Sequence, residues 1–375
     1  MQVPLLDLRA QYAPLKEEIL TEIAAICDSQ RFILGEKVEN FEKALTAYCR
    51  AGASVGVSSG SDALLIALMA EGIRPGDEVI TTPFTFFATV GAIVRAGAKP
   101  VFADIDPVTF DIDPAKIEEK ITPKTRAIIP VHLFGQAADM DPITAMAKKH
   151  GLFIIEDACQ AIGAEYKGKR VGTFAEYGAF SFFPSKNLGC FGDGGAVTCD
   201  TPERAALIKV FRNHGQSKTY IHEYVGGNFR IDALQAAILS IKLRSLDSWS
   251  EARRRNAGIY RKLFAEAGIS AERIVLPGTA SYDVRHIYNQ FCIRVKNGQR
   301  DALRQHLADR GVGCAVYYPL SLHLQECFRE LGGKPGDYPV SEAATGEILA
   351  LPVFGELAVE QLEYVVASIA DFLVK

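Results

Sequence analysis

The 375-residue chain carries a formal net charge of −4, is 48% apolar and 23% charged, and holds 32 glycines and 17 prolines. That is the composition of an ordinary globular protein long enough for two domains, without the basic surface that nucleic acid requires. The eight cysteines are scattered, with no paired metal spacing and no disulfide framework, so a reduced, cytoplasmic setting and no bound metal are expected.

Residues 1–9 carry early charges and no long apolar core, which does not read as a signal peptide. No apolar run approaches the length that spans a bilayer, so no membrane partner is expected. Residues 14–28 place Leu15, Ile19, Ile23 and Ile26 near helical spacing, and residues 38–48 follow as a second helix. Next come a short apolar run (53–57), a turn of small residues, and a helix carrying Leu64, Leu65 and Leu68. Free N–H groups at that helix start, with Ser61 as the cap, form an anion site, although serine begins many helices merely as a cap.

Strands and helices then alternate. Strands are expected at 78–82, 99–104, 126–133 and 153–157, with helices at 87–95, 114–120 and 142–149. Nearly continuous apolar strands interleaved with helices indicate a mostly parallel sheet covered on both faces, with the ligand beyond the strands' carboxyl ends. Asp157 and Phe86 emerge there. A carboxylate at a strand end can hold a pyridinium nitrogen protonated, or simply cap a helix. Gln160, three residues on, can face the same pocket, and Phe86 can stack on a flat ring or belong to the core.

The chain centres on Ser181-Phe-Phe-Pro-Ser-Lys-Asn-Leu-Gly189. An amine delivered at the end of a buried strand is partly desolvated, which favours its neutral, nucleophilic form and suits Lys186 to Schiff-base chemistry with an aldehyde cofactor. A lone loop lysine would ordinarily be a surface side chain; the other segments here supply what such a cofactor needs. Residues 204–212 read as a helix and 213–228 as a long polar loop. Helices at 231–246 and 249–264 follow. The large α/β domain is expected to cover residues 1–250. A smaller α+β domain, residues 251–375, would hold strands at 289–295 and 314–317 and helices at 300–309 and 359–372.

Five motifs occur in order: Gly60-Ser-Asp-Ala-Leu64, Pro83-Phe-Thr-Phe-Phe-Ala-Thr89, Glu156-Asp-Ala-Cys-Gln-Ala161, the Lys186 segment, and Gly227-Asn-Phe-Arg-Ile-Asp-Ala-Leu-Gln-Ala-Ala237. Together they resemble the DegT/DnrJ/EryC1/StrS sugar aminotransferases, pyridoxal-phosphate enzymes of fold type I. The resemblance implies Lys186 as the Schiff-base lysine and proton shuttle, Asp157 on the pyridine nitrogen, Gln160 on the ring hydroxyl and Phe86 stacked on the ring. Gly60, Ser61 and Ser181 would cradle the phosphate. Asn228 would reach it from a neighbouring subunit, making a homodimer with shared sites.

The implied reaction moves an amino group from L-glutamate, through the pyridoxamine 5'-phosphate form, to a keto-sugar linked to UDP or dTDP, in amino-sugar, lipopolysaccharide or O-antigen synthesis. The look is that of members aminating C3 of a UDP-3-keto-uronic acid or a dTDP-3-keto-6-deoxyhexose, with C4-specific members as the alternative. Arg230 is a candidate for the donor's carboxylate, or an anchor for its own loop. Tyr318 and His323 resemble a segment lining the sugar-nucleotide site, although Tyr317 and Ser321 depart from the usual histidine and proline. His214 is a further loop candidate. Cys159 reads as a packing residue, not a nucleophile. A desulfurase would need a cysteine in a mobile loop, and an inert regulatory relative would lack Lys186 or Asp157.

Overall fold

In the computed structural model, which describes residues 1–374, the apolar runs become seven strands of one sheet. They are β1 (Ala53–Val57), β2 (Glu78–Thr81), β3 (Lys99–Phe102), β4 (Thr125–Ile128), β5 (Phe153–Asp157), β6 (Tyr177–Ser181) and β7 (Gly195–Cys199). Their order is β1-β7-β6-β5-β4-β2-β3. Pairing from β3 to β6 is parallel throughout, and only β7 runs against its neighbours β6 and β1.

Beyond a short turn of helix at Leu8–Tyr12, the longer helices here are α1 (Lys16–Ser29), α2 (Glu36–Cys49), α3 (Gly60–Ala70), α4 (Phe87–Arg95), α5 (Met140–His150), α6 (Pro202–Arg212) and α7 (Ala233–Leu243). Successive strand residues point to opposite faces, so each strand feeds two cores. Val79, Ile155, Tyr177 and Val197 pack with α3, α4 and α6. Ile80, Ile128, Ile154 and Phe180 pack with α2, α5 and α7. The result is a sheet sandwiched by helices, as expected.

The C-terminal part of the chain contains α8 (Leu246–Glu266), β8 (Ile274–Val275), β9 (Phe291–Val295), α9 (Arg300–Asp309), α10 (Pro339–Glu347), β10 (Ile348–Leu351) and α11 (Val359–Val374). β8, β9 and β10 make an antiparallel sheet under α8, α9 and α11, with Tyr260, Phe291, Leu303 and Leu362 at its core.

Several local expectations differ from what forms. Residues 114–120 make two single 3₁₀ turns, Pro114–Lys116 and Glu118–Lys120, not a helix. Residues 314–317 make only one bridge, Ala315 to Ala350. The 213–228 loop contains a small ribbon, Gln216–Lys218 against Ile221–His222. Two long-range pairings also cross the expected boundary: Val3 bridges Val312, and Val284–Arg285 pairs with Glu165–Tyr166. Periodicity carries no trace of such pairings, because each joins segments distant in sequence.

Candidate active site

Parallel strands deliver their carboxyl ends to one edge of the sheet, and the start of the antiparallel β7 reaches the same edge. β1 leads through Ser58 and Ser59 into α3. β2 leads through Phe84–Phe86 into α4. β5 ends on Asp157 with Gln160 beyond it, and β6 ends on Ser181 ahead of the Lys186 turn.

At the α3 start, Ser59 is the N-cap, not Ser61: its Oγ accepts from the Asp62 N–H at 3.1 Å. The Ser58 hydroxyl (2.7 Å) and the Ser59 hydroxyl (3.0 Å) meet the Asp62 carboxylate. With the Asp62 N–H taken by the cap, the N–H groups of Gly60 and Ser61 have no acceptor among the described residues. Two free donors at a helix N-terminus suit a phosphate. Glycine is needed at position 60 because a Cβ there would stand 2.6 Å from the Ser181 Cβ and 2.7 Å from the Cys159 Sγ. Gly195, opening β7, similarly makes room for the Ser59 backbone, 2.4 Å from where its Cβ would be.

Asp157 is buried at 5% exposure. One carboxylate oxygen accepts from the Thr89 hydroxyl at 2.7 Å and the other from the Cys159 N–H at 3.2 Å. Its backbone carbonyl receives the His132 N–H at 3.0 Å. Immediately before it, the fully buried Glu156 accepts from the Gly172 and Phe174 N–H groups and lies 3.0 Å from His132 Nε2. The Ala138 N–H donates to His132 Nδ1, so His132 donates to Glu156 through Nε2.

Burial pulls the Lys186 amine below its ordinary value, against the opposing pull of Cys159 and Asp157. Burial, then Asp157, pushes the Cys159 thiol well up, so this cysteine stays a neutral packing group. The Gln160 carbonyl accepts from the Phe134 N–H at 2.9 Å, and its amide donates to the Tyr318 hydroxyl at 2.9 Å. Because Tyr318 accepts there, its own proton is free to donate, and burial raises its pKa so that the proton stays on. Phe86, 55% exposed, stands 6.3 Å from the Tyr318 ring at a tilt of 40°.

The remaining candidates come from later segments of the chain. Arg230 bridges β1 at Val57 and donates to Asn213 at 2.7 Å, while its buried Nε has no partner among the described residues. Asn228 pairs with Asn213 and is exposed, as is His214, whose carbonyl accepts from His222 at 2.9 Å. His323, at 2% exposure, packs against Tyr338 (4.6 Å between rings) and Glu342 (3.2 Å), and its buried Nδ1 has no partner among the described residues.

Sequence reasoning missed the scaffold behind the lysine. On α7, Gln235 accepts from the Phe191 N–H at 2.7 Å and donates back to its carbonyl at 3.2 Å. Lys242, two turns along, donates to the Gly189 carbonyl. The available signal was the single charged residue of a mostly apolar helix, a lysine that is 5% exposed in the structure.

Residues 14–370 match the model of the DegT/DnrJ/EryC1/StrS aminotransferase family. The chain is 52% identical over 373 residues to a "Pleiotropic regulatory protein" of Geobacillus stearothermophilus, covering 99% of each. It is 42% identical over 371 residues to the dTDP-3-amino-3,4,6-trideoxy-alpha-D-glucose transaminase of Streptomyces venezuelae, covering 99% of this chain and 96% of that one. The crystal structure of S. venezuelae DesV in complex with ketimine intermediate superposes with a TM-score of 0.96 at 41% identity, over 100% of this chain and 99% of that one. Sequence motifs, strand-edge geometry and these likenesses agree: the chain belongs to the DegT/DnrJ/EryC1/StrS aminotransferase family.

Proposed function

We propose that the chain is a pyridoxal-phosphate-dependent aminotransferase that moves an amino group from L-glutamate to C3 of a nucleotide-linked 3-keto-sugar in the cytoplasm, in amino-sugar and surface-polysaccharide synthesis. One observation carries this reading: a desolvated lysine, a buried carboxylate and a helix start with free N–H groups meet at a single sheet edge. The residues present fit the cofactor. The collision that any Cβ on Gly60 would meet marks a cradle shaped by Ser181 and Cys159, and the donor set offers one anion site and one carboxylate.

When bound, the cofactor supplies an aldehyde to take up the amino group and a pyridine ring that draws electrons from the carbon being deprotonated. Lys186 would hold it and, with its amine free, would carry the proton to and from the substrate carbon bearing nitrogen. Asp157 would face the ring nitrogen and keep it protonated. Gly60, Ser61 and Ser181 bind the phosphate, Gln160 orients the ring hydroxyl, and Phe86 covers the ring face and excludes water. Tyr318, with a proton it keeps, donates toward the substrate. Arg230 grips the donor's carboxylate, and His214 borders the substrate.

Asn228 completes the phosphate site from the second subunit of a homodimer. In support, the ribbon that precedes it exposes Tyr220, Ile221 and Val225. The C3 preference takes its support from the S. venezuelae relative, which is named for a 3-amino sugar on dTDP. The relative named as regulatory does not weigh against turnover, since both Lys186 and Asp157 are present here. The domain division is placed at 1–250 and 251–375.

The test is borohydride reduction of the purified protein followed by peptide mapping, then a cycle of glutamate and keto-sugar read by absorbance. A reduced adduct at Lys186 is expected, with a visible band that glutamate bleaches and a UDP- or dTDP-3-keto-sugar restores. No adduct at Lys186 overturns the reading; restoration by 4-keto-sugars alone moves the chemistry to C4.

A further inference from the structure

We propose that Thr89, with Thr85 behind it, is a positioning residue that fixes the Asp157 carboxylate for the cofactor's ring nitrogen; this rests on the role given to Asp157 above. Thr89 sits in the first turn of α4, at 0% exposure, and Thr85 precedes that helix at 2%. The two hydroxyls are 3.0 Å apart, and Thr89 Oγ1 is 2.7 Å from Asp157 Oδ2.

The proton directions follow from chemistry. An ionised carboxylate only accepts, so the single Thr89 proton goes to Asp157. The Thr89 oxygen is then the acceptor for Thr85, and the chain runs Thr85 to Thr89 to Asp157. The second carboxylate oxygen takes the Cys159 N–H at 3.2 Å. Donors from two segments, the first turn of α4 and the turn that follows β5, thus hold the carboxylate plane at both oxygens. Each oxygen keeps a lone pair for the ring nitrogen.

A threonine in a helix ordinarily bonds back to a carbonyl one turn earlier. Thr89 instead reaches across to another strand's side chain, into a place where valine would satisfy packing alone.

The experiment compares wild type, Thr89→Val, Thr89→Ser and Thr85→Val, each reconstituted with pyridoxal phosphate. Three quantities are read: the site of the borohydride adduct, the cofactor's dissociation constant, and the pH at which the visible band titrates. Thr89→Val should keep the adduct at Lys186, bind the cofactor about tenfold more weakly and shift the titration. Thr89→Ser should restore both values, which a loss of packing would not allow. Thr85→Val leaves the direct bond and should weaken binding about threefold, with a smaller titration shift in the same direction; it carries the test should Thr89→Val not fold. Affinity and titration unchanged in the folded valine variants overturn this inference while leaving the reading of Lys186 intact. A wild type without the Lys186 adduct overturns both.

Discussion

Two desolvated amines, one half-buried and one buried, stand on either side of one turn, and their surroundings differ. Lys186 lies in the turn after β6, desolvated, its amine without a hydrogen bond among the described residues, and tuned by burial and the nearby Cys159 and Asp157. Lys242 lies on α7 behind the same turn, donates to the Gly189 carbonyl, and has the rings of Phe191 and Trp249 at 5.8 and 6.0 Å. Burial lowers both, Lys242 to about 8. Desolvation alone therefore does not mark a reactive lysine. What separates them is whether the amine is already committed: an amine without a partner is available for chemistry, whereas one bonded to a carbonyl and flanked by rings is scaffolding.

The comparison breaks most visibly if the two residues are exchanged in role. Lys186→Arg should abolish the borohydride adduct and lower transamination by about 10²–10⁴-fold, since both the covalent attachment and the proton carrier are lost. Lys242→Met should keep the adduct at position 186. Peptide mapping of the reduced proteins decides; an adduct at Lys242 in wild type would reverse the assignment.

The positions of Lys186, Asp157 and Phe86 at the strand ends were legible in sequence, and the supporting scaffold was not. Lys186, Asp157 and Phe86 each follow a strand readable from apolar runs, and in a parallel sheet strand ends converge whatever the connections between them. Ser59 was missed because four small residues, Ser58 to Ser61, offer several capping registers, and the choice depends on which backbone leaves β1 last. The burial of His323 was not legible, because Tyr338 and Glu342, from the residue before α10 and from α10 itself, pack against it only in the folded chain. Lys242 and Gln235 were invisible as a pair, because their partners are backbone atoms of a loop far off in sequence.

A second test sharpens the contrast through stability. The folded protein holds Lys242 at about 8 against an ordinary 10.5. Between those values the unfolded chain binds more protons than the folded one, so stability rises with pH. The penalty for a buried ammonium is in full force below about pH 8 and is relieved toward pH 10.5, worth ~3 kcal/mol at most. The difference in urea midpoint between wild type and Lys242→Met should therefore shift in favour of wild type from pH 7.5 to 10 (working values within about that window). Parallel pH profiles would show that Lys242 is not buried as a cation.

The smallest effect concerns the other half of the clamp. Gln235→Ala removes both hydrogen bonds to the Phe191 backbone, yet Phe191 is 45% exposed, so water can replace them. The loss should be about 1 kcal/mol, against the 1–3 kcal/mol of a donor stranded in the interior. The Phe191 ring keeps its edge contact with Tyr12 at 5.6 Å, and Lys242 still holds Gly189, so the turn loosens at one end only. Faster hydrogen exchange at the Phe191 amide, with the Lys186 adduct unchanged, is the expected signature. Should the adduct fall with it, the clamp is part of the lysine's reactivity, and the line drawn between the two amines is too sharp.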